Sequence, residues 1–188
     1  SLLEECSNLK ASEIGDLEAE DRWILSKTQG RIVQITEAVE KMRLREGLQD
    51  ILFSFESDLS WYAKRVDAKG RDNVSGILHQ INSARVAMLS PFAPHIAEEI
   101  WEKLGYTELA SKSAWPKFSK ENIDSTSIQS EELLKSTIDD IVNILKITKI
   151  TPQKIVIYVN SDEFKSKVYR KILGIMVGGQ NNMGVVMK

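Results

Sequence analysis

The sequence predicts a mainly α fold: an up-down antiparallel helical bundle followed by a small, incomplete α/β unit. Three observations carry this. Apolar residues recur in alternating steps of four and three along successive segments between Glu20 and Leu145, which is one face of a helix each time. Short links join most of these segments, so consecutive helices fold back on each other as antiparallel neighbours. Only Lys154-Ile155-Val156-Ile157-Tyr158-Val159 has the β-branched, short character of a strand. The expected organisation is a connector over residues 1–19, a bundle over residues 20–150, and the beginning of an α/β unit over residues 151–188.

Residues 1–19 have weak periodicity and contain Gly15, which marks a connector. Glu20 and Asp21 then place acids at a helix start, where the dipole favours them. Ile24, Thr28, Ile32, Ile35, Val39 and Met42 follow as one inward face, and Gly47 is read as the break. A second helix buries Leu48, Leu52, Phe55, Leu59, Tyr62 and Val66, ending at Lys69-Gly70. The third, from Arg71 to Leu89, presents Val74, Ile77, Ile81, Ala84 and Met88. Ser90-Pro91-Phe92-Ala93-Pro94 interrupts it, because each proline disfavours helical geometry in the residue before it. Pro94 suits the first position of a fourth helix, with Ile96, Ile100, Trp101 and Leu104 inward and Gly105 as the stop.

Thr107 to Ser130 is rich in Ser, Thr and Lys and reads as a loop pinned by Trp115-Pro116 and Phe118. Ser130 with Glu131-Glu132 starts a fifth helix carrying Leu134, Ile138, Ile141 and Leu145, ended by Thr151-Pro152. After the strand, Asn160-Ser161 cap a last helix that reaches Gly174. A lone strand is not stable without partners, so the α/β unit is expected to be partial.

Composition excludes several function classes. The 188 residues have 42% hydrophobic and 28% charged side chains, the balance of an ordinary globule, and a formal net charge of −2 excludes a globally basic nucleic-acid coat. No apolar run approaches the roughly 18–20 residues of a membrane span, so no membrane partner is expected. One cysteine, Cys6, forms no intramolecular disulfide, which makes a reducing cytoplasmic compartment the expectation. The near-neutral total conceals a gradient: up to Asp21 the chain carries −6, and from Lys146 onward +6. Such ends are either solvated surface or, at the basic end, a face for a polyanion.

No catalytic constellation and no metal site is predicted. Gly179 and Gly184 have the glycine spacing of a phosphate loop, but Val185-Val186 stand where Lys and Ser or Thr are required. His79 lies mid-helix without a nucleophile near it in sequence, and His95 lies in the first turn of the fourth helix. Glu98 and Glu99, as neighbours on a helix, splay about 100° apart and make a poor acid–base pair. Cys6 sits in the connector without an activating partner.

Binding residues are more promising. In an antiparallel pair, Arg22 and Lys27 near the start of the first helix lie beside Lys64, Arg65, Lys69 and Arg71 at the end of the second. Arg43 and Arg45 form a secondary basic patch at the far turn, some 30 Å away at about 1.5 Å per residue over about twenty residues. Trp23, Trp61 and Tyr62 interleave with the first group. Cations for phosphates with aromatic faces for unpaired bases are what single-stranded RNA requires. Tyr62 falls on the buried stripe, and tryptophans are seldom freely exposed, so Trp23 and Trp61 are also candidates for core.

Several strings together carry a resemblance. Asp21-Arg22-Trp23-Ile24-Leu25-Ser26-Lys27 opens the first helix and Asp58-Leu59-Ser60-Trp61-Tyr62-Ala63-Lys64-Arg65 approaches the end of the second. Leu89-Ser90-Pro91-Phe92-Ala93-Pro94-His95-Ile96-Ala97-Glu98-Glu99-Ile100-Trp101 bridges the third and fourth, and Trp115-Pro116 follows. This succession, over about Glu20 to Lys149, resembles the helical anticodon-binding domain of the class I aminoacyl-tRNA synthetases for leucine, isoleucine and valine. The leucyl branch of archaeal and eukaryotic cytosolic type fits best, on Trp61-Tyr62 with Lys64-Arg65, on Ile147-Thr148-Lys149-Ile150, and on the Lys-Ile-Val-Ile-Tyr run.

The resemblance implies that the chain is a tRNA-docking part of a larger ligase that joins leucine to tRNA(Leu). Its ATP-handling motifs and editing domain lie upstream, so no cofactor is expected in this chain, and ATP and Mg²⁺ belong to the catalytic domain of the same polypeptide. Lys41-Met42-Arg43 is only a fragmentary echo of a catalytic motif, with Met42 expected in the core. Because leucine has varied anticodons, the resemblance implies docking through positioning phosphate contacts instead of anticodon reading. The implied partners are tRNA(Leu) and the catalytic, editing and C-terminal domains of the same chain. The alternatives are the same domain of a valyl or isoleucyl enzyme and, from another class, a helical protein–protein adaptor without an RNA role.

Overall fold

The computed structural model describes Cys6, Leu9, Ala11, Ser12, residues 14–149 and residues 151–157. Six α-helices organise them: α1 (Ala19–Glu40), α2 (Leu44–Gln49), α3 (Phe55–Ala68), α4 (Ser75–Leu89), α5 (Pro94–Lys103) and α6 (Ser125–Thr148). A single π turn, Asp50–Ser54, joins α2 to α3, and two 3₁₀ turns, Ala110–Lys112 and Lys120–Asn122, interrupt the long loop. The described residues fall into two units, one ending at Ile141 and one beginning at Val142.

The predicted all-helical bundle is present, and three of its helix ends share one device. After α1, α3 and α5 the chain enters the left-handed region at Met42 (φ 56°), Gly70 (φ 64°) and Gly105 (φ 91°). In each case the next residue's N–H reaches back to the third-last helical carbonyl: Arg43 to Ala38, Arg71 to Val66, Tyr106 to Trp101. This is the Schellman arrangement. The two glycine stops follow the sequence reading. The first does not: the break is at Met42, which is 77% exposed and does not fill the core. Gly47 instead sits inside α2, where a Cβ would be 3.6–3.7 Å from Val39, Ala38 and Phe92.

The π turn explains a second departure. It inserts one extra residue into the helical repeat, so the inward face shifts. Ile51 becomes fully buried beside Phe55, while Leu48 and Leu52 are only partly buried. Arg85 of α4, itself buried, supports the turn by donating from Nε to Ile51 O (2.8 Å) and from Nη2 to Leu52 O (2.9 Å).

Trp23, Ile35, Ile51, Tyr62, Ile81 and Met88 are among the residues of the main core between α1, α3 and α4. A second core gathers Val86 and Ala87 of α4 with Ala97, Ile100 and Trp101 of α5, and it includes Cys6. In α5 the inward position is Ala97, whereas Ile96 is exposed, because a stripe continuing through Ile100, Trp101 and Leu104 passes over Ala97. The connector is not loose at these points: Cys6 is fully buried, and a Cβ on Gly76 of α4 would lie 2.6 Å from Ser12 O.

Trp115 pins the loop as expected, donating from Nε1 to Thr36 Oγ1 at 2.9 Å. The predicted fifth helix, α6, starts earlier than Ser130, because Asp124 caps it: Oδ1 accepts from the backbone N–H groups of Thr126 (2.9 Å) and Ser127 (3.1 Å), and Oδ2 from Ser127 Oγ. Residues 154–157 of the predicted strand form no regular secondary structure, and no strand occurs among the described residues. The rest of that strand, the helix after Asn160 and the Gly179–Gly184 spacing lie outside the described residues.

Candidate nucleic-acid interface

Antiparallel packing does bring the end of α3 beside the start of α1, but it brings acids together with bases. Arg71 contacts Glu18 (3.3 Å), Glu20 (2.8 Å) and Asp21 (2.8 Å). Lys69 Nζ donates to Glu18 Oε2 and Glu20 Oε2, each at 2.7 Å. Tyr62 closes the cluster by donating its hydroxyl to Asp21 Oδ1 at 2.6 Å. Burial alone would raise the Glu20 carboxyl, but hydrogen bonds from Lys69 and Arg71 outweigh it and hold the group down at about 2. Hydrogen bonds to Glu18 and Glu20 raise Lys69, and the hydrogen bond to Asp21 foremost raises Arg71. Burial and then the Asp21 hydrogen bond push the Tyr62 phenol well up. The acidic N-terminal region thus neutralises Lys69 and Arg71 within the chain.

The other predicted residues divide. Arg22 pairs with Asp124 at 3.3 Å and donates to Leu17 O at 2.5 Å. Lys27 lies 3.8 Å from Glu132. Arg65 donates from Nε to Glu131 Oε1 at 3.1 Å, and the same carboxylate accepts Trp61 Nε1–H at 2.9 Å. Arg43 pairs with Glu46 at 2.6 Å and touches Glu37 at 4.0 Å. Lys64 and Arg45 are exposed and make no ion pair among the described residues. Trp23 is wholly buried and Trp61 half-buried.

One cation absent from the sequence reading stands out. Lys135 of α6 places its ammonium 4.5 Å from the Trp23 ring centroid and 4.9 Å from that of Trp61. Desolvation lowers its pKa, with Lys27 adding repulsion, although Asp58, Glu131 and Glu132 oppose the shift. Lys135 lines a groove of about 330 Å³ between α3 and α6, together with Ser57, Ser60, Trp61, Lys64 and Asp139. The sequence signal for it is weak: Lys135 merely follows Leu134 at the edge of the α6 stripe, and both of its tryptophans are remote in sequence.

The discounted catalytic candidates have structural partners. His79 is buried, with Nε2 2.9 Å from Leu104 O, an interhelix contact. Glu98 accepts the backbone N–H groups of Ala110 (2.6 Å) and Ser111 (3.0 Å), which lowers its carboxyl. Among the described residues, no group of three or more His, Cys, Asp or Glu converges to hold a metal ion, and no helix is long and apolar enough to cross a membrane.

Comparison with known proteins supplies the remaining information. Residues 21–157 match the family model "anticodon-binding domain of tRNA ligase". The chain is 32% identical over 184 residues to the leucine–tRNA ligase of Methanococcoides burtonii, covering 97% of this chain and 18% of that protein. It is 35% identical over 176 residues to that of Methanothrix thermoacetophila, covering 94% and 18%. Among solved structures, the Agrobacterium radiobacter K84 agnB2 LeuRS–tRNA–LeuAMS ternary complex superposes with a TM-score of 0.53 at 25% identity, over 65% of this chain and 15% of that one. The chain therefore spans about a fifth of the length of these relatives, which carry the leucyl name expected from the resemblance. With its helical architecture and a family match over most of its length, the chain belongs to the anticodon-binding domain family of tRNA ligases.

Proposed function

We propose that this chain is the tRNA-docking domain of a leucine–tRNA ligase, holding tRNA(Leu) while the catalytic and editing parts of the same polypeptide, in the cytoplasm, carry out chemistry. The observation that carries this is the similarity to leucine–tRNA ligases across 97% of the chain. ATP and Mg²⁺ belong, in this reading, to the catalytic part and not to the helical bundle. Docking here works through phosphates. Trp61 supports that choice: its indole N–H is committed to Glu131, and the Lys135 ammonium lies over its ring, so the ring is poorly placed to stack on a base. Phosphate contacts position a nucleic acid without reading it.

The test is binding of this chain to transcribed leucine tRNA across a salt series. Affinity should fall steeply and linearly on a log–log plot, as counterion release requires. Salt-independent binding, or none at all while the intact ligase binds normally, would sink the reading.

A further inference from the structure

We infer that the groove between α3 and α6 is a docking point for an RNA backbone phosphate, with Lys135 as its principal cation and Lys64 as the second. This rests on the tRNA-docking reading and goes beyond it by assigning the contact.

Lys135 differs from most of the basic residues near this end of the bundle. Lys69, Arg71, Arg65 and Arg22 each spend their charge on carboxylates of the same chain. Lys135 makes no ion pair among the described residues; what holds it are the faces of Trp23 and Trp61. A cation–π contact orients an ammonium without neutralising it, since the ring carries no net charge. The flexible stem is therefore fixed before a ligand arrives, and less side-chain entropy is lost on binding.

The surrounding acids are largely engaged. Asp58 accepts from Arg31 at 2.9 Å, Glu131 from Arg65 and Trp61, and Glu132 lies beside Lys27. Asp139, which lines the groove, makes no ion pair among the described residues and opposes an anion there. Against it stand Lys135 and Lys64, leaving the groove with a net positive charge. Ser57 and Ser60 add hydroxyl donors along the same wall. Two ammonium groups and two hydroxyls lining one groove suit a phosphodiester.

The test titrates transcribed leucine tRNA into the 188-residue chain and four variants, with helicity and thermal unfolding followed in parallel. Lys135→Gln should weaken binding about tenfold, as expected for losing a charged hydrogen bond. It should also lower the salt slope by about 0.7–0.9, one phosphate contact. Lys135→Arg should retain both affinity and slope, and Lys64→Gln should show a smaller loss. Asp139→Asn should tighten binding, a gain that unfolding does not produce.

Unchanged affinity and slope in Lys135→Gln, with wild type binding in a salt-dependent way, would remove the groove assignment and leave the docking reading intact. Absence of wild-type binding at any salt would remove both. Lys135-dependent binding of polyglutamate in place of tRNA would assign the groove to an acidic protein and overturn the RNA assignment.

Discussion

Arg71 grips Asp21 with both arms of its guanidinium, Nη2 to Oδ2 at 2.8 Å and Nη1 to Oδ1 at 3.1 Å, and so ties the residue after the α3 stop to the first turn of α1. Asp21 serves several partners at once, since its Oδ2 also accepts the Glu18 backbone N–H and its Oδ1 the Tyr62 hydroxyl. The bidentate fork suits a buried carboxylate better than any lysine could.

Replacing Arg71 with Met leaves Asp21 and Glu20 buried beside a single remaining lysine. Breaking one side of such a pair costs about 3–5 kcal/mol. Chemical denaturation of Arg71→Met should therefore show a loss near the lower end of that range, because Lys69 still reaches Glu20. A loss within the noise of a surface substitution would show that the cluster contributes little.

The same cluster sets a pH dependence. Glu20 is held at about 2 in the folded chain against an ordinary value of 4.5. Between those values the unfolded chain takes up a proton that the folded chain refuses. Stability is thus fully present above about 4.5 and falls as pH drops toward about 2. Glu98 and Asp124, lowered by the hydrogen bonds they accept, act in the same direction. Unfolding midpoints recorded from neutral pH downward should show this decline, and Glu20→Gln should flatten it while lowering stability at neutral pH. A wild-type profile that is level through the window contradicts the assignment.

Met42 occupies a left-handed position at φ 56° with its side chain 77% exposed, so it pays strain without packing in return. Left-handed geometry costs an L-residue about 1–2 kcal/mol. Met42→Gly should stabilise the protein by about 1 kcal/mol, part of the gain being offset by the extra freedom of glycine in the unfolded chain. A shift of the melting temperature to a lower value would refute the strain argument.

Gly76 is where α4 lets Ser12 approach, with no room for a Cβ against the Ser12 carbonyl. Gly76→Ala should therefore displace the segment around Ser12 and loosen the covering of Cys6, which is fully buried. Thiol labelling under native conditions should be slow in the wild type and markedly faster in this variant. Equal rates would mean that Cys6 is held independently of the Ser12 contact.

Most of the helices, most of their stops and the family were legible in the amino-acid order. Those features are local or periodic: apolar residues every three or four positions, Pro94 at a helix start, and Gly70 and Gly105 where the chain turns left-handed. That legibility failed where geometry departs from the simple repeat. The π turn at Asp50–Ser54 shifted the inward face to Ile51, and a methionine took a place that glycine normally marks. Which charges are available follows from how the helices pack. Whether a cation is spent or open depends on carboxylates that arrive from other helices, as Glu20 does for Lys69 and Glu131 for Arg65. Lys135 shows the converse: an unremarkable residue at the edge of a stripe, it is singled out because folding places Trp23 and Trp61 beside it. Periodicity reports the face a residue occupies, and pairing is set by distances that exist only once the helices have packed.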